Sequence, residues 1–150
     1  MKLATALMNR ADLQKKLDEL QLRLNNNARV QEGEQPAESP TELLAELDSV
    51  SGELETLIAR INLTNAQTIV DGLTVTERIA HRDILLQKQR IYRNFLDEAS
   101  NLAQRYSRTE IRQESTVSVR ELQKQLDAIS KELRLTEEAL QELNWTVELL

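Results

Sequence analysis

Residues 39–61 read SPTELLAELDSVSGELETLIARI and predict one long amphipathic helix. Ser39 and Glu42 form a capping box, and Pro40 fits the first helical position, so the helix begins here. Apolar residues then follow at alternating steps of four and three positions: Leu43, Leu47, Val50, Leu54, Leu57 and Ile61. This spacing places one apolar stripe along the side of the helix that packs against other helices.

Related patterns occur three more times along the chain. Helices are predicted over about residues 2–27, 39–65, 76–105 and 118–145. Capping boxes at residues 74–77 and 118–121 open the third and fourth helices. Helices of such similar length favour an antiparallel arrangement of hairpins, the first helix with the second and the third with the fourth. The predicted fold class is therefore all-α, an antiparallel helical bundle of coiled-coil hairpins.

The width of the apolar stripes indicates how many neighbours each helix has. Leu44 and Ile58 widen the stripe of the second helix, which favours a bundle over a two-stranded coiled coil. The third helix carries apolar residues on more than one stripe, so it is expected to be the most buried helix. Arg10 interrupts the stripe of the first helix, where it either sets the register or extends its charged head into solvent.

Three segments between the helices lack the helical period. Residues 28–40 form a polar loop. In residues 68–75, β-branched residues flank Asp71-Gly72, which predicts either a small β-hairpin or a simple turn. Residues 106–117 are expected to be extended.

The composition limits the classes of protein to which this chain can belong. A chain of 150 residues suits a single domain over residues 1–150. It has no cysteine, and no apolar run approaches the roughly 20 residues of a membrane span, so a membrane role is not favoured. The apolar run at the N-terminus is too short for a signal peptide, which predicts a cytoplasmic protein. The net charge of −6 disfavours nucleic-acid binding, because phosphate contacts need a concentrated positive surface.

No catalytic or metal-binding motif emerges from the helical pattern. Di-iron bundles need a Glu-x-x-His motif on each of two helices, and this chain has one histidine, His81. His81 is therefore expected to be a packed or hydrogen-bonded residue. Without a phosphate-binding loop or a nucleophile motif, the sequence predicts no enzyme, no metal and no cofactor.

One group of polar and aromatic residues is a candidate site. These residues lie near the predicted ends of helices and combine guanidinium, amide and aromatic groups. They either cap helices and form ion pairs between helices or subunits, or bind an anion through directed donors. The candidate interface or anion-binding residues are Arg60, Asn62, Asn65, Arg82, Tyr106, Arg108 and Trp145.

Several sequence strings carry a resemblance to a known family. The strings are MKLA at residues 1–4, NARVQEGE at 27–34, INLTN at 61–65, RYSRTEI at 105–111 and NWT at 144–146. On these strings, nearly the whole chain resembles a small family of bacterial helical proteins. Many of its members carry the name septicolysin, and the family is otherwise of unknown function. The name implies a pore-forming cytolysin, and the resemblance supplies no catalytic residues.

The sequence thus supports one leading hypothesis and two alternatives. The surplus of apolar helix surface favours a non-enzymatic protein that acts through self-association, as a homo-oligomer, or by binding another protein. The first alternative is the septicolysin-like, pore-forming protein. The second is a nucleic-acid-binding helical hairpin that would use basic residues of the third helix, although these do not share one face: Arg78, Arg82, Lys88, Arg90 and Arg93.

Overall fold

The computed structural model describes residues 1–102 and 111–150. The described residues form four helices and one two-stranded antiparallel sheet, which confirms the all-α class. The elements are α1 (Leu3–Asn26), α2 (Pro40–Gln67), β1 (Ile69–Val70), β2 (Leu73–Thr74), α3 (Val75–Ser100) and α4 (Val119–Thr146). The bounds of α1, α2 and α4 lie close to those predicted.

The chain divides into two compact units. Met1–Thr74 and Leu143–Leu150 form the first unit, and Val75–Glu142 forms the second. Each unit has its own apolar contacts. The expectation of a single domain over residues 1–150 stays a prediction.

The core of the first unit lies between α1 and α2. Near one end of this helix pair, Leu3 packs in a cluster with Leu57 and Ile61. Near the other end, Leu20 packs in a cluster with Leu43. Because the start of α1 contacts the end of α2, the two helices are antiparallel, as predicted. Burying a leucine or isoleucine fully contributes about 1.5–3 kcal/mol, so this stripe is the main source of stability in the unit.

Capping by serine fixes where two helices begin. Ser39 Oγ accepts a hydrogen bond from the backbone N–H of Glu42 at 3.4 Å. Ser118 Oγ accepts one from the backbone N–H of Glu121 at 3.3 Å. Each serine satisfies a donor that the first helical turn cannot pair internally. The starts of α2 and α4 predicted from the sequence are confirmed.

The polar loop between α1 and α2 is fastened where its two ends meet. Asn27 Nδ2 donates to the carbonyl of Arg23 at 2.8 Å, and Asn27 Oδ1 accepts from the backbone N–H of Glu38 at 3.0 Å. Arg23 Nε donates to Glu38 Oε2 at 3.1 Å, and this hydrogen bond holds the pKa of Glu38 below its ordinary value. The loop therefore closes through side chains rather than through an apolar core.

The segment after α2 is a β-hairpin, which decides between the two predicted alternatives. Ile69 pairs with Thr74 and Val70 pairs with Leu73. The two residues of the turn, Asp71 and Gly72, have φ angles of 51° and 79°. A tight hairpin turn requires positive φ at both central positions, and Asp-Gly is a preferred sequence for it.

The core of the second unit lies between α3 and α4. Leu85 packs in a cluster with Ile129, and Leu96 packs in another with Leu122. Between these clusters, Gln89 Nε2 donates to Ser130 Oγ at 3.0 Å. Because the end of α3 contacts the start of α4, this pair is antiparallel as predicted. The predicted stripe of α4 is buried at five positions of this unit and at Leu143, which belongs to the first unit. The five are Leu122, Leu126, Ile129, Leu133 and Leu140.

Helix α3 ends at Ser100, earlier than the predicted residue 105. The Ser100 hydroxyl donates to the carbonyl of Leu96 at 2.7 Å. The next N–H groups, those of Asn101 and Leu102, bond to the carbonyls of Glu98 and Ser100 instead of continuing the helical ladder. Residues 111–117 contain neither helix nor strand. Residues 106–110 of the predicted extended segment lie outside the described residues.

The expectation that α3 is the most buried helix is wrong. Three of its residues are buried: Val75, Leu85 and Leu96. Each helix pairs along one narrow stripe, so apolar residues outside that stripe stay exposed. For the same reason Leu44 and Ile58 do not widen the buried stripe of α2, and both are exposed.

Candidate functional site

The end of α2 holds the last residues of the chain through a buried threonine. Thr64 is 0% exposed. Its Oγ1 donates to the carbonyl of Arg60 at 2.8 Å and accepts from the backbone N–H of Leu150 at 3.0 Å. Arg60 Nε donates to the carbonyl of Leu150 at 2.8 Å. Both backbone groups of Leu150 are therefore bound by side chains of one helical turn.

The first residues of the chain pair with the same segment. The N–H of Leu3 donates to the carbonyl of Val147 at 2.9 Å, and the N–H of Leu149 donates to the carbonyl of Met1 at 2.8 Å. Glu148 lies 2.8 Å from Lys2 Nζ and 3.0 Å from the Met1 ammonium group. The hydrogen bonds from these two cations hold the pKa of Glu148 below its ordinary value.

Substitution of Glu148 is expected to lower stability in a pH-dependent way. Because the folded-state pKa of Glu148 is lowered, its stabilising contribution is present at neutral pH and is lost as the pH falls through that pKa. Glu148→Gln is therefore expected to melt slightly below the wild type at pH 7 and together with it at acid pH. Thermal melts at both pH values check this, with the exposed Glu55→Gln as the control. A Glu148→Gln deficit that is equally large at acid pH would contradict it.

Four of the seven candidate residues belong to the first unit. Arg60 holds Leu150, Asn62 is exposed and Asn65 is half-buried on α2. Trp145 lies in the last turn of α4 and is exposed. Their assignment to an interface or an anion site stays a prediction.

The cleft beside Arg60 carries charges of both signs. It is open, has a volume of about 710 Å³, and is lined by Asp12, Glu53 and Arg60 among other residues. Two carboxylates therefore accompany one guanidinium, which does not create the concentrated positive field that favours an anion.

The other candidate residues are not part of this group. Arg82 belongs to the second unit, where its Nη2 donates to Asp83 Oδ1 at 2.8 Å. This local pair partly neutralises the guanidinium. Tyr106 and Arg108 lie outside the described residues.

A different feature, the exposed apolar surface of α3, is the strongest candidate site. Ile84, Ile91 and Phe95 are 56, 55 and 46% exposed. With Lys88 they follow steps of four, three and four residues, which places all four on one side of the helix. We call these four residues the outer face of α3. Each directly precedes a residue that faces α4, so the outer face lies about 100° around the helix from the buried stripe.

A groove in the second unit adjoins the outer face. It has a volume of about 440 Å³ and is mainly apolar. Its lining residues are Ile91, Tyr92, Phe95, Val117, Ser118, Glu121, Leu122 and Gln125. Two residues of the outer face, Ile91 and Phe95, thus form one wall of the groove. The sequence showed that α3 has more than one apolar stripe. It did not show which stripe would be exposed.

Two further kinds of site, for a metal ion and for a membrane, depend on features of the described residues. His81 Nε2 lies 2.9 Å from Glu132 Oε1, which confirms the expected hydrogen-bonded histidine. Within residues 1–102 and 111–150, no three histidine or acidic side chains come together in a way that could hold a metal ion. None of the helices in these ranges combines the length and the apolar character needed to cross a bilayer.

These features define an all-α protein made of antiparallel helical hairpins. Residues 10–149 match the model of a family of unknown function, DUF6847, and the chain belongs to this family. It is also similar to a functionally unknown conserved protein from Corynebacterium diphtheriae, whose crystal structure has been determined. The two are 40% identical and have a TM-score of 0.92, over 100% of this chain and 99% of that chain. No curated protein matches the chain.

Proposed function

We propose that the protein acts without catalysis, through association with other protein chains and first of all with copies of itself. The outer face of α3 carries this proposal. Three large apolar side chains on one side of this helix are about half exposed to solvent: Ile84, Ile91 and Phe95. The proposal keeps the cytoplasmic location expected from the sequence.

Alignment is what distinguishes these residues from ordinary exposed hydrophobic residues. Single apolar side chains are common on protein surfaces and need no explanation. Three large ones on a single helix face, beside an apolar groove and interrupted only by Lys88, form an extended apolar surface instead. Covering such a surface is favourable in proportion to the apolar area removed from water.

The roles of the polar side chains support a non-catalytic function. Arg60 binds the carbonyl of Leu150, and Arg23 binds Glu38. His81 bonds to Glu132. These groups, which elsewhere could bind substrates or transfer protons, are engaged in contacts that hold segments of the fold together.

Sedimentation velocity over a range of concentrations tests the proposal. The chain has a mass of 17.2 kDa. Between about 1 µM and 1 mM, where weak protein complexes form, the weight-average mass is expected to rise towards twice that value. A mass of 17.2 kDa throughout this range would contradict self-association.

A membrane-active role, which the septicolysin resemblance expected from the sequence strings implies, is the second candidate. The outer face of α3 is the described surface that such a role would use, since its exposed apolar side chains could enter a lipid interface. Dye-loaded liposomes test this role directly. Release of the dye on addition of the protein would support it, and retention of the dye at both acid and neutral pH would exclude it.

A further inference from the structure

We infer that the outer face of α3 binds the same face of a second copy, with the two α3 helices antiparallel. This inference rests on the proposed function and names the partner and its register. The resulting dimer contains two α3–α4 hairpins, which is the composition of a four-helix bundle. A two-fold axis relates the two copies, so each residue contact occurs twice.

The spacing of the outer face is complementary to itself in one antiparallel register. When the axis passes midway between Lys88 and Ile91, Ile84 lies opposite the partner's Phe95. In the same register Lys88 lies opposite the partner's Ile91. The seam thus contains two apolar layers, each formed by Ile84 of one copy and Phe95 of the other, and two Lys88–Ile91 layers between them. The lysine stems cover apolar surface while their ammonium groups reach solvent.

A parallel pairing of the same faces is less favourable. It would place each Lys88 opposite the partner's Lys88 at the centre of the seam, where two like charges repel one another. The antiparallel register replaces that contact with Lys88 against the partner's Ile91. Charge therefore selects the antiparallel arrangement.

The groove beside the outer face fits the same partner. Ile91 and Phe95 belong to both features, so a helix that covers the outer face also covers the edge of the groove. The charged residue among the groove's lining is Glu121. The charged residue of the outer face is Lys88, of opposite sign. A second copy therefore brings a positive group towards an apolar groove with an acidic rim.

Replacement of the central lysine provides a gain-of-association test. A lysine in an apolar seam weakens association, so Lys88→Leu is expected to lower the dissociation constant of the dimer at least about tenfold. Sedimentation equilibrium measures this constant. The control is Leu86→Ala. Leu86 is exposed and lies on the side of α3 opposite the outer face. The control is expected to leave the constant within about twofold.

A charge placed on the outer face provides the converse test. Ile84→Glu is expected to raise the dissociation constant at least about tenfold, because it would bury a carboxylate against the partner's Phe95. Leu86→Glu introduces the same group on the opposite side and is expected to leave the constant nearly unchanged. Both substituted side chains are exposed in the single chain, so each variant is expected to fold. Far-ultraviolet circular dichroism and thermal melts check this.

The outcomes separate this inference from the proposed function. If the wild type and Lys88→Leu both stay monomeric, self-association itself is contradicted. If the wild type dimerises but Lys88→Leu and Ile84→Glu behave like the Leu86 variants, the dimer uses another surface and the inference is overturned. The inference is supported if Lys88→Leu lowers the dissociation constant, Ile84→Glu raises it and the Leu86 variants leave it unchanged.

Discussion

Leu20→Ala is expected to lower the free energy of unfolding by about 2–5 kcal/mol. Leu20 is 0% exposed and packs against Leu43 and Val50 in the α1–α2 core. Truncation removes apolar contacts and leaves a cavity that two rigid helices can fill only partly. Chemical denaturation followed by circular dichroism measures the change.

Leu22→Ala is the matched control for this prediction. Leu22 lies on the same helix and is 61% exposed. Its truncation is expected to change stability by no more than about 0.5 kcal/mol. Equal losses for the two variants would mean that the α1–α2 stripe is not the core of the first unit.

Thr64→Val is expected to cost about 1–3 kcal/mol although it barely changes the size of the side chain. The Thr64 hydroxyl accepts the N–H of Leu150, and valine has no acceptor to replace it. The part-buried N–H would then lack its protein partner, and an unpaired group in such a place carries a desolvation penalty. We also expect faster amide hydrogen exchange at Leu150.

Thr56→Val isolates this effect. Thr56 is also on α2, and its hydroxyl donates to the carbonyl of Gly52 at 2.9 Å, four residues earlier, as Thr64 does to Arg60. Thr56 is exposed, so little change in stability is expected. A loss at Thr56 as large as that at Thr64 would show that the bond within the helix, rather than the contact with Leu150, accounts for the cost.

Local rules were sufficient to predict the helices. Ser39 and Ser118 mark helix starts because an unpaired N–H near the start of a helix needs a nearby acceptor. Asp71-Gly72 marks the hairpin because its turn needs two positive φ angles. Each of these features depends on a few neighbouring residues, which a sequence displays directly.

Long-range contacts explain what the sequence did not reveal. The fastening of Leu150 by Thr64 and Arg60 joins residues more than eighty positions apart. The exposed state of Ile84 and Ile91 likewise depends on which stripe of α3 packs against α4. Periodicity shows that a helix has two apolar stripes, but it does not show which one is covered. The candidate interface on α3 could therefore be identified only from the structure.

Disulfide trapping tests the antiparallel pairing of the α3 outer faces most directly. The chain has no cysteine, so introduced ones react without competition. In the proposed register residue 88 lies opposite the partner's residue 91, within the short Cβ separation that a disulfide requires. Mixing Lys88→Cys with Ile91→Cys chains under mild oxidation is predicted to give mainly the mixed dimer, resolved by mass spectrometry. Homodimers that form as readily as the mixed one, or no crosslink at all, would contradict the pairing.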